Sequence, residues 1–121
     1  SAEGAKKDVR ASAAILLAEY LNNMGMSVFI HDPYFSKEEI VDILPFAKIS
    51  DLNKGENFTE AYVVMSQNQE YNYLTQEKIN KNGLYGAKII IDGVGVLKHF
   101  SFSPKTVYHE VGDGTLKALI K

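Results

Sequence analysis

Residues 8–33 read DVRASAAILLAEYLNNMGMSVFIHDP, and this stretch decides the fold. Asp8 and Ser12 are residue types that favour helix N-caps, and apolar residues then recur at helical spacing. Gly25 suits the left-handed position that ends many helices. The short apolar run that follows is typical of a strand buried on both faces, and Pro33 cannot continue it. The stretch therefore predicts a helix followed by an inner strand of a parallel sheet.

The predicted helix has one apolar face, which we expect to lie against the sheet. Its members are spaced as residues on one side of a helix are. They are Ala13, Leu16, Leu17, Tyr20, Leu21 and Met24. Burial of these side chains is expected to anchor the helix.

The rest of the chain alternates helices with short apolar strands. Ser36 and Glu39 form a capping box at one helix start, and Thr75 is an N-cap for another. A short edge strand and three inner or edge strands are predicted at Ala47–Ile49, Ala61–Met65, Lys88–Asp92 and Val107–Val111. This alternation predicts an α/β fold, a Rossmann-like three-layer sandwich with a mainly parallel sheet.

The composition limits the classes of function. The chain has 121 residues, 45% of them hydrophobic and 23% charged, which predicts a single domain over 1–121, with 1–7 as a flexible lead-in or expression remnant. A formal net charge of -2 offers no basic surface for nucleic acid. No apolar run is long enough to predict a membrane span. The absence of cysteine excludes thiol nucleophiles within the chain and favours the cytoplasm.

Polar residues follow the predicted strands and are candidates for ligand binding, because ligands bind at the carboxyl ends of parallel strands. Asp32 and Asp92 each end a strand. An acid there either takes ribose hydroxyls or binds backbone amides of its own turn, and both roles stay open. The segment Gly93-Val-Gly95 lacks the third glycine of a phosphate-binding loop.

Other candidates for chemistry are few. His31, His99 and His109 share no metal-binding spacing, and we predict no functional role for them. Arg10 is the only arginine. Just inside a helix start, it suits either a planar anion or an ion pair with Asp8.

Taken in order, these motifs resemble the C-terminal domain of the UDP-glucose/GDP-mannose dehydrogenases. That family typically reads D-x-R-x-S-P, a helix, a glycine and a strand closing in Y-D-P, to which Asp8–Pro33 is similar. Its D-H-x-E-F loop resembles Gln67–Tyr71, and its D-G-R-N turn resembles the turn at Asp92. The resemblance implies a domain that binds a UDP- or GDP-linked sugar. The substrate-binding residues that it implies are Lys6, Lys7, Arg10, Ser12, Asp32, Asn68, Asp92 and Gly93.

The resemblance also implies a reaction that needs more than this chain. The family oxidises the sugar C6 hydroxyl to a carboxylate in a four-electron reaction with NAD. It uses an N-terminal NAD-binding domain and a central helix with a nucleophilic cysteine. This chain has no cysteine and no dinucleotide fingerprint, so we expect it to be inactive alone. The expected partners are those two domains of the parent enzyme and a second copy in a cytoplasmic homodimer.

Departures from the family pattern support other hypotheses. The family's first strand, which closes in G-L-x-F-K, is apparently missing, since only Lys6 and Lys7 stand directly before Asp8. Val94 and Asp113 replace two arginines. These losses favour an alternative, a non-catalytic assembly domain whose vacant sheet position is covered by another chain. A receiver-like module is a third hypothesis, disfavoured because no acid cluster follows the predicted strands.

Overall fold

The computed structural model describes residues 13, 15–31, 36–49, 60–64 and 69–110. Five strands form one sheet, and none of the helices in these ranges is long and apolar enough to cross a membrane. The elements are α1 (helical residues 13 and 15–23), β1 (Val28–His31), α2 (Lys37–Ile43), β2 (Lys48–Ile49), β3 (Ala61–Val64), α3 (Gln76–Asn82), β4 (Ile89–Asp92) and β5 (Val107–Glu110). Short 3-10 turns span Gln69–Tyr73 and Leu84–Gly86.

The sheet is parallel throughout, with strand order β2-β1-β3-β4-β5. This order is doubly wound and reverses direction between β1 and β3, which makes their boundary the topological switch point. There Val28 lies opposite Ala61, and His31 lies opposite Val64. The described strands leave no gap between β1 and β3, which pair directly along their whole length.

Both faces of the sheet are buried, as a three-layer sandwich requires. On one face, Ala61 and Val63 of β3 join a cluster that includes side chains of α1 and α2. On the other, Tyr62 and Val64 join a cluster that includes Ile79 of α3. Because alternate side chains are buried on opposite faces, the inner strands read as continuous apolar runs. The predicted α/β fold with a parallel sheet is therefore confirmed.

The helix boundaries follow the predicted caps. The Ser36 hydroxyl accepts the Glu39 N–H at 3.1 Å, and the Ser36 N–H donates to Glu39 Oε1 at 3.0 Å, which completes the capping box. Gly25 has φ +90°, and the N–H of Met26 donates to the Leu21 carbonyl at 3.1 Å. This pattern is a Schellman motif, which satisfies the last carbonyls of α1 and turns the chain into β1.

The buried face of α1 is rotated from the predicted one. Leu17 and Leu21 are buried as expected, but Ala18 is buried as well and lies in the same cluster. Three residues predicted to be buried are instead exposed, by 47%, 40% and 59% respectively: Leu16, Tyr20 and Met24. Apolar residues lie around more than half of the circumference of α1, so their spacing along the chain is compatible with burial of either of two faces. The small Ala18 side chain selects the one that allows close approach to the sheet.

Candidate functional site

The candidate site lies at the carboxyl edge of the sheet, around the switch point. Strand β1 ends there at His31, β3 at Val64 and β4 at Asp92. Of the predicted site residues, the structure places Asp92 and Gly93 at this edge. The other six lie outside the described residues: Lys6, Lys7, Arg10, Ser12, Asp32 and Asn68.

The Asp92 carboxylate organises the turn after β4. It is fully buried, and Oδ1 accepts the N–H groups of Val94, Gly95 and Val96 at 3.1, 2.8 and 3.3 Å. Oδ2 accepts the Leu97 N–H at 2.8 Å. Two roles were left open for Asp92, and the structure shows the second, in which the carboxylate accepts hydrogen bonds from the backbone amides of its own turn. Contact between this turn and a ligand stays a prediction.

The same turn cannot offer these amides to a phosphate. Consecutive N–H groups that converge on one point form an anion-binding nest, and here the anion is a carboxylate of the chain itself. Gly95 has φ +76°, a left-handed backbone conformation that residues with a Cβ rarely adopt. The glycine is thus required by the turn, which explains its presence without a phosphate-binding role.

Tyr108 of β5 completes the polar group around Asp92. Its hydroxyl donates to Asp92 Oδ2, and its ring stacks on Phe102 with centroids 5.8 Å apart. Burial raises the pKa of the Tyr108 hydroxyl well above its usual range, and the hydrogen bond to Asp92 and the charges of Asp92 and Glu110 raise it further. The phenol is therefore a structural donor, because it stays protonated throughout the physiological pH range.

This raised pKa predicts a pH-dependent stability. An unfolded tyrosine loses its proton near pH 10, while folded Tyr108 keeps it, so the free energy of unfolding falls as pH rises above about 10. Tyr108→Phe should lower the free energy of unfolding by about 1 kcal/mol at neutral pH. Above pH 10, the free energy of unfolding of this variant should fall less steeply with pH than that of the wild type. Urea unfolding from pH 7 to 11 measures both slopes, and parallel curves would contradict the prediction.

A second polar group lies directly at the switch point and consists of His31, Glu70 and Tyr71, here called the His31 cluster. The side chain of His31 is 11% exposed. Its Nδ1 forms a hydrogen bond with the Tyr71 hydroxyl, and its Nε2 lies 3.2 Å from Glu70 Oε2. The His31 and Tyr71 rings meet edge to face, with centroids 5.2 Å apart. The cluster thus ties the end of β1 to the 3-10 turn that follows β3.

A model of the UDP-glucose/GDP-mannose dehydrogenase family, UDP binding domain, matches residues 4–99. The chain belongs to this family. Its match to the UDP binding domain includes both strands of the switch point and the Asp92 turn. No curated protein and no solved structure matches the chain.

Sequence reasoning missed the His31 cluster, although two substitutions signalled it. His31 stands where the dehydrogenase pattern Y-D-P has tyrosine, and Tyr71 stands where D-H-x-E-F has phenylalanine. Together they place an imidazole next to a phenol at one sheet edge. The cluster does not resemble a metal centre, since no group of three or more histidine, aspartate or glutamate side chains in the described ranges could hold a metal ion.

Proposed function

We propose that this chain is the C-terminal, nucleotide-sugar-binding domain of an NAD-dependent dehydrogenase that oxidises the C6 hydroxyl of a UDP- or GDP-linked sugar to a carboxylate. The observation that supports this proposal is the family match over residues 4–99. The strand order also supports it, because the carboxyl ends of β1 and β3 meet at a topological switch point, where nucleotides usually bind in doubly wound folds.

The binding roles that we propose follow the family motifs. Arg10, Ser12 and Asp32 frame the edge of the site, while Lys6 or Lys7, Asn68 and the Asp92-Gly93 turn approach the nucleotide. Val94 occupies the position of a family arginine, and its half-buried side chain packs against the apolar cluster on the α3 face. With that cation replaced, the charge that attracts the diphosphate must come from elsewhere, which favours the lysines.

The Gly93-Val94-Gly95 segment after β4 differs from a dinucleotide-binding loop in how its amides are engaged. The N–H groups of Val94 and Gly95 donate to Asp92 Oδ1, and the Gly93 N–H donates to the Val64 carbonyl at 2.8 Å, so the segment does not offer its amides to a pyrophosphate. We therefore assign NAD and the nucleophile of the oxidation to other domains of a parent enzyme. A cytoplasmic homodimer is part of the same proposal.

Calorimetric titration with UDP, UDP-glucose and GDP-mannose tests the proposed function. If a lysine contacts the diphosphate, the double variant Lys6→Ala/Lys7→Ala should bind UDP about 10- to 100-fold more weakly, which corresponds to about 1.5–3 kcal/mol. Lys105→Ala is the control, because Lys105 is an exposed residue before β5, at the opposite edge of the sheet. Equal affinity of the double variant and the wild type would exclude the lysine assignment. If the wild type binds none of the three ligands, the proposed function itself is contradicted.

One observation favours the second candidate function, an assembly domain with a degraded nucleotide site. Leu16 and Tyr20 of α1 and Met24, which follows its last residue, are exposed and lie at four-residue spacing. The direct pairing of β1 with β3 leaves no room for a second chain between these two strands. Light scattering tests it, and a monomer at high protein concentration would count against it.

A further inference from the structure

We propose that Asn82 is a site of spontaneous deamidation, which occurs when the turn after α3 opens and whose product destabilises the domain. Asn82 ends α3, and Gly83 follows it as the C-cap residue. Of the asparagines in the sequence, only Asn82 is followed by glycine. The modification needs only water as a co-reactant and is independent of the proposed nucleotide sugar.

The reaction closes a cyclic imide and then opens it. The Gly83 backbone nitrogen attacks Cγ of Asn82, the Cγ–Nδ2 bond breaks, and the amide nitrogen leaves as ammonia with the Gly83 proton. Water then hydrolyses either carbonyl of the imide, which yields an aspartyl or an isoaspartyl residue. Glycine favours the attack, because it has no Cβ to hinder its own nitrogen and restricts the backbone least.

The folded turn holds the reacting atoms apart. Asn82 has helical backbone geometry, whereas the imide needs Cβ of Asn82 and the nitrogen of Gly83 nearly eclipsed about the Cα–C bond. The side chain is also fixed, since Oδ1 of Asn82 accepts the Leu84 N–H at 3.0 Å. Asn82 is 4% exposed, so little water reaches its side chain. Deamidation therefore requires the turn to open first.

Several features of this turn favour local opening. Helix α3 has only seven residues, too few to be stable without its packing against the sheet. Within the described ranges, Nδ2 of Asn82 has no hydrogen-bond partner, and a buried donor without an acceptor is destabilising. Such a short helix end is the kind of element that opens at a lower free energy than the whole domain.

The product is expected to damage the turn that produced it. A carboxylate in place of the Asn82 amide would be buried, and among the described residues the Leu84 N–H is its donor. Burial of a charge with so little compensation is costly. The turn leads through Ala87, which is 1% exposed, into β4. Its loss therefore loosens the strand that carries the Asp92 turn.

Peptide mapping by mass spectrometry measures the reaction in the native domain and in the domain unfolded in urea. In urea, Asn82 should convert about tenfold faster than Asn80 or more, because lysine and not glycine follows Asn80. In the native domain Asn82 should still convert, but at least about tenfold more slowly than in urea, since opening of the turn costs free energy. Equal rates at the two asparagines in urea would overturn the proposal. So would a native Asn82 that stays intact through many half-lives of the reaction in urea, or one that converts as fast as in urea.

Two variants locate the opening. Ile79→Val removes a buried methyl group of α3 and should speed the native conversion of Asn82 about two- to tenfold, while the rate in urea stays the same. Ile40→Val is the matched control, because it removes the same group from α2 on the other face of the sheet, and it should have no such effect. Equal acceleration by both variants would show that Asn82 reacts only after global unfolding, which contradicts a local opening.

Asn82→Asp reproduces the aspartyl product. It should lower the urea midpoint of unfolding by about 1 M, because it buries a carboxylate. Asn80→Asp is its control, since Asn80 is exposed and its Oδ1 accepts Gln76 Nε2 at 3.0 Å, a bond that a carboxylate keeps. The control should leave the midpoint nearly unchanged. If Asn82→Asp is as stable as the wild type, the destabilising effect of deamidation is disproved.

Discussion

Asp92→Ala is expected to lower the free energy of unfolding by about 4 kcal/mol or more, and to leave much of the domain unfolded at room temperature. The carboxylate accepts four backbone N–H groups and the Tyr108 hydroxyl from a fully buried position. Each buried donor left without an acceptor costs about 1–3 kcal/mol. Alanine offers no acceptor, and relaxation of the turn can recover only part of the loss.

Two variants make this prediction specific. Asp92→Asn keeps one acceptor oxygen but turns a donor toward another donor, so about half of the loss is expected. Asp42→Ala removes an exposed carboxylate of α2 and should change stability by less than about 0.5 kcal/mol. Urea unfolding at pH 7 measures all three variants. A loss below about 1 kcal/mol for Asp92→Ala would show that the turn does not depend on its carboxylate.

Leu17→Ala should destabilise the domain by about 2–5 kcal/mol, while Leu16→Ala should cost less than about 1 kcal/mol. The two leucines are adjacent on α1, yet Leu17 is 1% exposed in the core and Leu16 is 47% exposed. The first substitution opens a cavity under the sheet, whereas the second mainly removes a side chain from water. Thermal or urea unfolding of the two variants measures both losses of stability. Equal losses would contradict the buried face that the structure gives for α1.

Local patterns in the sequence were enough to predict most of the fold. Each depends on neighbours in the chain: the capping box at Ser36, the left-handed Gly25, and the apolar runs of β3 and β4. The orientation of α1 was mispredicted because it is decided by close packing of Ala18 against the sheet, a tertiary contact.

The site was harder to predict for the same reason. His31 meets its partners Glu70 and Tyr71 39 and 40 residues further along the chain, beyond the range of any spacing rule. The adjacency of β1 and β3 was also hidden, since a short apolar strand does not specify its neighbours in the sheet. The bonds from Asp92 to its own turn were predictable, because an acid that ends a strand often binds the amides that follow it.

The single ladder between β1 and β3 has a mechanical consequence. Among the strands that the structure describes, it is the backbone hydrogen-bonded connection between the N-terminal pair, β1 and β2, and the C-terminal three, β3, β4 and β5. The His31 cluster bridges this ladder at its carboxyl end, where the ligand is expected to bind. If the proposed nucleotide sugar binds across this ladder, it contacts both halves of the sheet. The free energy needed to separate β1 from β3 then rises with the concentration of the ligand.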